Sequence, residues 1–256
     1  MTVVRAVLVI LLASAVTACG GSREAPLPDS DVAGAKKTVM AACVPGSIRT
    51  VGSATTSFAA VVRERAVAYR APGAGRIAGF GRENVNGVPT VFAVLAERLG
   101  EDCAVAWYRV QLPLRPNGRT GWIRAADVGL APVTTRILVD LSERRVTLFD
   151  RGRQVLSARA AIGTGRTPTP TGRYYVNQRL VPSDPSGPFG PGAIGISAFS
   201  DVLTGWTQGG PIAIHGTNRP DLIGQAVSNG CIRIRNDLLR RLFERTLSGT
   251  PVTVRA

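Results

Sequence analysis

Punctuation constrains this chain more than any other feature. Its 29 glycines and 17 prolines are placed so that, from Phe58 onward, apolar residues arrive mostly in short runs. Runs of this length bounded by Gly and Pro form strands, whereas a helix needs a longer stretch with apolar positions three and four apart. Runs at 66–69, 77–80, 91–94 and 107–112 predict a small all-β unit over residues 58–130, with Ala131-Pro132 marking its boundary. Beyond it, runs at 136–141, 145–149 and 155–160 are separated by the polar turns Ser142-Glu143 and Asp150-Arg151-Gly152, the pattern of an antiparallel meander. A stiff Thr-Pro-Thr-Pro-Thr-Gly turn over 167–172 leads into a strand at 173–176. Residues 182–210, dense in Pro and Gly, show no period and read as a lid beside a groove. Further strands are expected at 211–214 and 251–254. Between them, Leu238, Leu239, Leu242, Phe243 and Leu247 form one helical stripe, opened by Asn236 as N-cap and closed by Gly249. The expectation is a mainly β chain with one or more short helices and no internal repeat.

With 45% hydrophobic and 19% charged residues, the 256-residue chain can bury one large core or two modest ones. The net charge of +14 suits acidic polymers, membrane surfaces or carboxylate-bearing substrates. Its arginines are scattered through every segment, and no zinc finger, basic zipper or RNA-binding aromatic signature accompanies them, so a nucleic-acid partner is not expected. Coding bias explains the arginine excess better than a designed patch does, because charge in sequence alone says nothing of patch geometry.

The N-terminus has one basic residue, Arg5, then an apolar run over 6–16, too short to span a bilayer. The stretch Val16-Thr17-Ala18-Cys19 resembles the lipobox of bacterial lipoproteins. That resemblance implies a signal peptide over 1–19, acylation of Cys19, and an exported protein anchored by lipid and facing the cell wall or periplasm; a simple cleaved signal or an uncleaved anchor is the alternative. Residues 20–57, rich in Gly, Ser, Pro and Ala at their start, read as tether and lead-in. With Cys19 taken by lipid, Cys43 and Cys103 are the natural disulfide pair in an oxidising compartment, and Cys231 is left over. A disulfide through Cys231 would instead leave another cysteine unpaired.

The chain has one histidine, His215. A zinc hydrolase needs several His or Cys ligands close together, so no metal is expected and no cofactor is implied. A Ser-x-x-Lys acyltransferase is excluded, because Lys36 and Lys37 both lie in the tether and neither has serine three places before it. Neither a Gly-x-Ser-x-Gly elbow nor a phosphate-binding Gly-rich loop with lysine occurs. What remains is His215-Gly216-Thr217 and, 231 − 215 = 16 positions on from the histidine, Cys231 within Ser228-Asn229-Gly230-Cys231-Ile232-Arg233. A thiol beside an imidazole loses its proton to it and becomes a thiolate nucleophile, while backbone amides at glycines can hold an oxyanion.

These two blocks, with the turn at 169–172, closely resemble the YkuD-type L,D-transpeptidases over residues 134–256. The resemblance implies a β-sandwich catalytic domain with Cys231 as nucleophile and His215 as general base, its ring oriented by a carbonyl of Gly216 or Thr217. Gly230 and Cys231 amides would hold the oxyanion, and Ser228, Asn229, Gly216 and Thr217 would serve as scaffold. Arg233 would bind a substrate carboxylate or lower the thiol pKa. Its partners would be peptidoglycan stem peptides, with an amine or water as acceptor, and carbapenems would acylate Cys231. The family's usual histidine before Gly-Cys is Asn229 here, so a non-catalytic wall-binding lipoprotein is the alternative. Upstream, Trp107-Tyr108-Arg109-Val110 and Gly121-Trp122-Ile123-Arg124 resemble bacterial SH3-like domains, which implies a small β-barrel over 58–130; its tryptophans are either a recognition platform or core. Trp206, Phe199 and Tyr175 either line the groove or pack inside. Oligomeric state is left open.

Overall fold

The computed structural model describes residues 43–256, which form one compact unit. The signal segment, Cys19 and the start of the tether lie outside the described residues. Among the described residues no helix is long and apolar enough to cross a membrane.

The chain is mainly β. Its first sheet comprises β1 (Ile48–Thr50), β2 (Ser57–Val62), β3 (Arg65–Ala71), β4 (Ala74–Gly81), β5 (Val91–Leu99), β6 (Val105–Gln111), β7 (Thr120–Arg124) and β8 (Val128–Val133). The order is β4-β3-β7-β6-β5-β2-β8, with β1 added on β5, and every pairing is antiparallel. Alternate residues Ala60, Ala66, Phe92, Val110 and Ile123 come from different strands yet share one buried cluster, so the sheet curls around its own core. Trp122 belongs to the buried residues, and Trp107 packs edge-on against Tyr69 with centroids 5.8 Å apart.

Both expected edges of this unit move outward. Cys43 is disulfide-bonded to Cys103, and β1 pairs with β5, so the lead-in from Cys43 is built into the first sheet. At the other end Ala131 and Pro132 lie inside β8, paired with Ala59 and Phe58. Proline reads as a breaker in sequence, but β8 ends the strand order, and an edge strand tolerates a missing N–H. The chain passes to the second sheet at Thr134.

The second sheet holds β9 (Thr135–Asp140), β10 (Arg145–Asp150), β11 (Arg153–Gly163), β12 (Gly172–Leu180), β13 (Ala193–Phe199), β14 (Pro211–His215), β15 (Ala226–Ser228), β16 (Ile232–Ile234) and β17 (Pro251–Arg255). The order is β10-β9-β17-β12-β13-β14-β16-β11-β15. Long β11 pairs with β10 over its first part and with β16 at Ala160 and Ala161, so the order closes on itself. Its core includes Ile137, Leu148, Ile194, Ile212 and Ile232. The three runs of the expected meander are β9, β10 and β11.

The segment 182–210 is not one long lid. Its middle is β13, a buried strand between β12 and β14. The flanking prolines and glycines hide the short run Ala193-Ile194-Gly195-Ile196-Ser197-Ala198-Phe199 from a reading based on punctuation. Gly195 is required because a Cβ there would meet the Gln178 side chain. Two loops remain, at 181–192 and 200–210.

The one α-helix among the described residues, α1 (Asn236–Arg245), buries Leu239 and Leu242 against the second core. It starts one residue earlier than expected, with Arg235 at the N-cap position and no side-chain cap, and it ends at Arg245, so Gly249 lies in the following turn; Leu247 is exposed. The two sheets meet along a seam. Fully buried Tyr175 donates its hydroxyl to the Val91 carbonyl at 3.1 Å, and Gln111 Nε2 donates to the Arg173 carbonyl at 2.7 Å.

Candidate active site

Strand alternation sets the site. On β14, Ile212 and Ile214 are buried in the core; on β16, Ile232 and Ile234 are. The strands run parallel with Ile214 opposite Ile232 and His215 opposite Arg233. Ala213, His215, Cys231 and Arg233 therefore fall on the opposite face from the core. Parallel neighbours need a crossover of about a dozen residues or more, which is the physical content of the His215–Cys231 spacing.

His215 is 3% exposed. Its Nδ1 lies 2.6 Å from the Gly216 carbonyl oxygen, so this nitrogen carries the proton and donates, leaving Nε2 as the acceptor. Of the two carbonyls expected to orient the ring, Gly216 is the one in contact. Phe189, from the 181–192 loop, covers the imidazole with centroids 4.9 Å apart. Burial pushes the His215 pKa down to about 4; the Gly216 carbonyl opposes this and the Arg233 charge reinforces it.

Cys231 is a free, partly exposed thiol. Its Sγ lies 4.0 Å from the Pro211 carbonyl. Burial pushes the thiol up, with a backbone contact from Ala213 and the Arg233 charge pulling it down. Both shifts favour the neutral thiol and neutral imidazole. The expected thiolate–imidazolium pair therefore has to be reached against both burial effects.

The loop holding Cys231 is shaped from both sides. Gly230 has φ +109°, and a Cβ there would also approach Ile212 Cδ1 to 2.9 Å, so glycine is required. Ser228 Oγ donates to the Cys231 carbonyl at 2.6 Å and accepts from the Gly230 N–H at 3.1 Å. The Gly230 amide is thereby occupied, which removes it from the expected oxyanion donors and leaves the Cys231 amide. From outside, Thr167 Oγ1 donates to the Ser228 carbonyl at 3.0 Å and Thr169 Oγ1 to the Gly230 carbonyl at 2.8 Å. Asn229 is exposed and borders an open cleft with residues 164–167.

On the histidine side, Asn236 Oδ1 accepts the Thr217 N–H at 2.8 Å, and a Cβ on Gly216 would collide with that oxygen. The side chain expected to cap α1 instead ties the helix to the His-Gly-Thr loop. Thr217 is buried, and its Oγ1 accepts from the Arg219 N–H. Arg233 is half-buried with its Nε unpartnered. Sequence reasoning missed the roles of Asn236, Thr167, Thr169 and Phe189; for the threonines, the signal was their repeated spacing in the 167–171 turn. Of the three candidate groove aromatics, Tyr175 is core, Phe199 borders a cleft between the sheets, and Trp206 is exposed.

Residues 134–254 match the YkuD family, described as the L,D-transpeptidase catalytic domain. The putative L,D-transpeptidase YkuD of Bacillus licheniformis is 37% identical over 119 residues, 46% of this chain and 64% of that protein. The Bacillus subtilis protein of the same name is 36% identical over 118 residues, with 46% of this chain and 64% of that protein covered. The chain thus spans a little under two thirds of these relatives. Among solved structures, L,D-transpeptidase 3 from Mycobacterium tuberculosis aligns over 65% of this chain and 92% of that one, with a TM-score of 0.41 and 14% identity.

Proposed function

We propose that this protein is a peptidoglycan L,D-transpeptidase. The observation that carries the reading is the juxtaposition of the chain's one histidine, at the end of β14, and the free cysteine of the described residues, immediately before the parallel neighbour β16, with Nδ1 fixed by Gly216 and Nε2 left to accept. In the reaction, Cys231 Sγ attacks the carbonyl of the third residue of a tetrapeptide stem. The S–C bond forms, the thiol proton passes to His215 Nε2, and the oxyanion takes the Cys231 amide. Collapse breaks the C–N bond to the terminal D-alanine, whose amine leaves with the proton from His215. An amine of a second stem, or water, then attacks the thioester with His215 again as base. Arg233, beside both groups, binds a substrate carboxylate. The first sheet acts as an SH3-like domain, and residues 1–42 as signal, lipidated Cys19 and tether, placing the enzyme at the wall-facing side of a membrane. One feature favours a second reading, a decayed wall-binding protein: Asn229, which cannot shuttle a proton, stands where the resemblance expects histidine.

Intact-mass spectrometry after incubation with a carbapenem separates the two. A stoichiometric adduct on the wild type, absent from Cys231→Ala, is expected. A folded wild type with a free thiol and no adduct leaves the wall-binding reading standing.

A further inference from the structure

Beyond the reactive face, the seam between the sheets opens into a cleft of about 540 Å³, within the ~300–1,000 Å³ of small-molecule sites. One wall includes Pro211, whose carbonyl is the partner of the Cys231 thiol. An occupant of this cleft lies beside the residue that holds the nucleophile. The lining has two chemistries. Phe80, Leu114 and Phe199 give it apolar walls, and Asn84, Asn86, Gln178 and Gln208 give it a neutral amide rim. The rim is linked across the seam: Asn86 Nδ2 donates to Gln178 Oε1 at 2.8 Å, and Gln208 Nε2 donates to Asn86 Oδ1 at 2.8 Å.

Charge is scarce here. The charged lining residues are Glu83 and Arg115, and Arg115 Nη2 is already engaged by the carbonyls of Ser200 and Gly209, each at 2.6 Å, with its guanidinium over the Phe199 ring. Those bonds pin the 200–210 loop in an unusual conformation, in which Gln208, a non-glycine, takes φ +57° and is followed by Gly209 and Gly210, also left-handed. Backbone held in this region at a cleft edge is a mark of a functional site, and here it presents the Gln208 carboxamide to the rim.

We propose that this cleft binds an N-acetylated hexosamine of a glycan strand, the sugar's apolar face lying on the Phe80 and Phe199 side and its acetamido and hydroxyl groups exchanging hydrogen bonds with the carboxamide rim. The assignment rests on the transpeptidase reading only in making that sugar the one that carries the donor stem. A stem peptide, with its carboxylates and amine, matches a neutral cleft poorly, because buried charge needs a partner. An uncharged ring with an amide substituent matches it on both counts. The tryptophan-bearing face of the first sheet is not part of the cleft.

The test uses the full chain carrying Cys231→Ala and an uncharged probe, the tetramer of N-acetylglucosamine, followed by NMR of side-chain carboxamides. Shifts at Asn84, Asn86, Gln178 and Gln208 are expected, and Val85→Glu, at an exposed position on the cleft lining, should abolish them. No shifts, or shifts confined to the Tyr69–Trp107 face, overturn the proposal. A second measurement compares kcat/KM for a disaccharide-linked tetrapeptide donor with that for the free tetrapeptide. Val85→Glu should lower this ratio about tenfold through KM, equivalent to ~1.4 kcal/mol of sugar binding; an unchanged ratio overturns the proposal. Probe binding without carbapenem acylation breaks the transpeptidase reading and leaves the sugar site in place, whereas acylation without probe binding does the reverse.

Discussion

The first sheet is antiparallel throughout, and its strands mostly follow one another through short turns. The second contains three parallel pairings, β14 with β16, β17 with β9, and β11 with β15. Antiparallel neighbours joined by hairpins bring together residues that are already close in sequence, whereas parallel neighbours require a crossover and bring together residues that are not. The face that carries His215 and Cys231 is built at one such parallel pair, with the two residues supplied from the two ends of a single crossover. The difference teaches that the first sheet can contribute stability and a cleft wall, while the proposed chemistry would depend on the register of two short strands.

If that division is right, damage should separate cleanly. His215→Ala should slow carbapenem acylation by about 10²–10⁴-fold, as expected for loss of a general base, while leaving the packing of the first sheet's buried cluster unchanged; stopped-flow acylation and methyl NMR of that cluster check this. In the first sheet, Phe92→Ala removes a fully buried ring and should cost about 3–5 kcal/mol of stability, read by denaturant unfolding, with acylation per folded molecule retained. A parallel loss of acylation there would erase the division.

A third test is acid titration. His215 is held near 4 against an ordinary 6.5, so below about pH 6.5 the unfolded chain takes up a proton that the folded chain refuses. Stability is full above that value, falls by about 3 kcal/mol as the pH drops to about 4, and levels off below it. The acid limb of the acylation rate should likewise lie near 4, not 6.5. Arg233→Gln should move that limb upward, because the arginine's charge is one cause of the depression. The smallest effect is expected at Asn236→Ala, which leaves the Thr217 N–H without its acceptor and should cost about 1–2 kcal/mol, with Asn236→Asp restoring most of the acylation rate.

How much of this was legible depended on whether a residue acts through its own neighbours. The hairpins β9 to β11 were visible because each turn is local. The His215–Cys231 pair was picked out because the chain has one histidine and because His215-Gly216-Thr217 and Gly230-Cys231 sit in two short blocks that can be read without knowing the fold. Strand β13 was hidden because Gly195, needed for close approach to Gln178, looks like a breaker in sequence. Asn236 was misread for a related reason: at a helix start asparagine usually caps locally, and here the Thr217 amide, 19 positions back, takes its oxygen. Pro132 was read as a boundary because nothing in the sequence says that β8 is an edge.

Strand β17, Pro251–Arg255, lies between β9 and β12. In chain order it follows every other described strand of that sheet, yet it occupies an interior place. Until it arrives, β9 and β12 have unpaired edges facing each other, and the closed strand order cannot form. The sheet that carries His215 is therefore latched by its last described strand: lifting 251–255 out of the middle leaves two open edges and a ring that no longer closes.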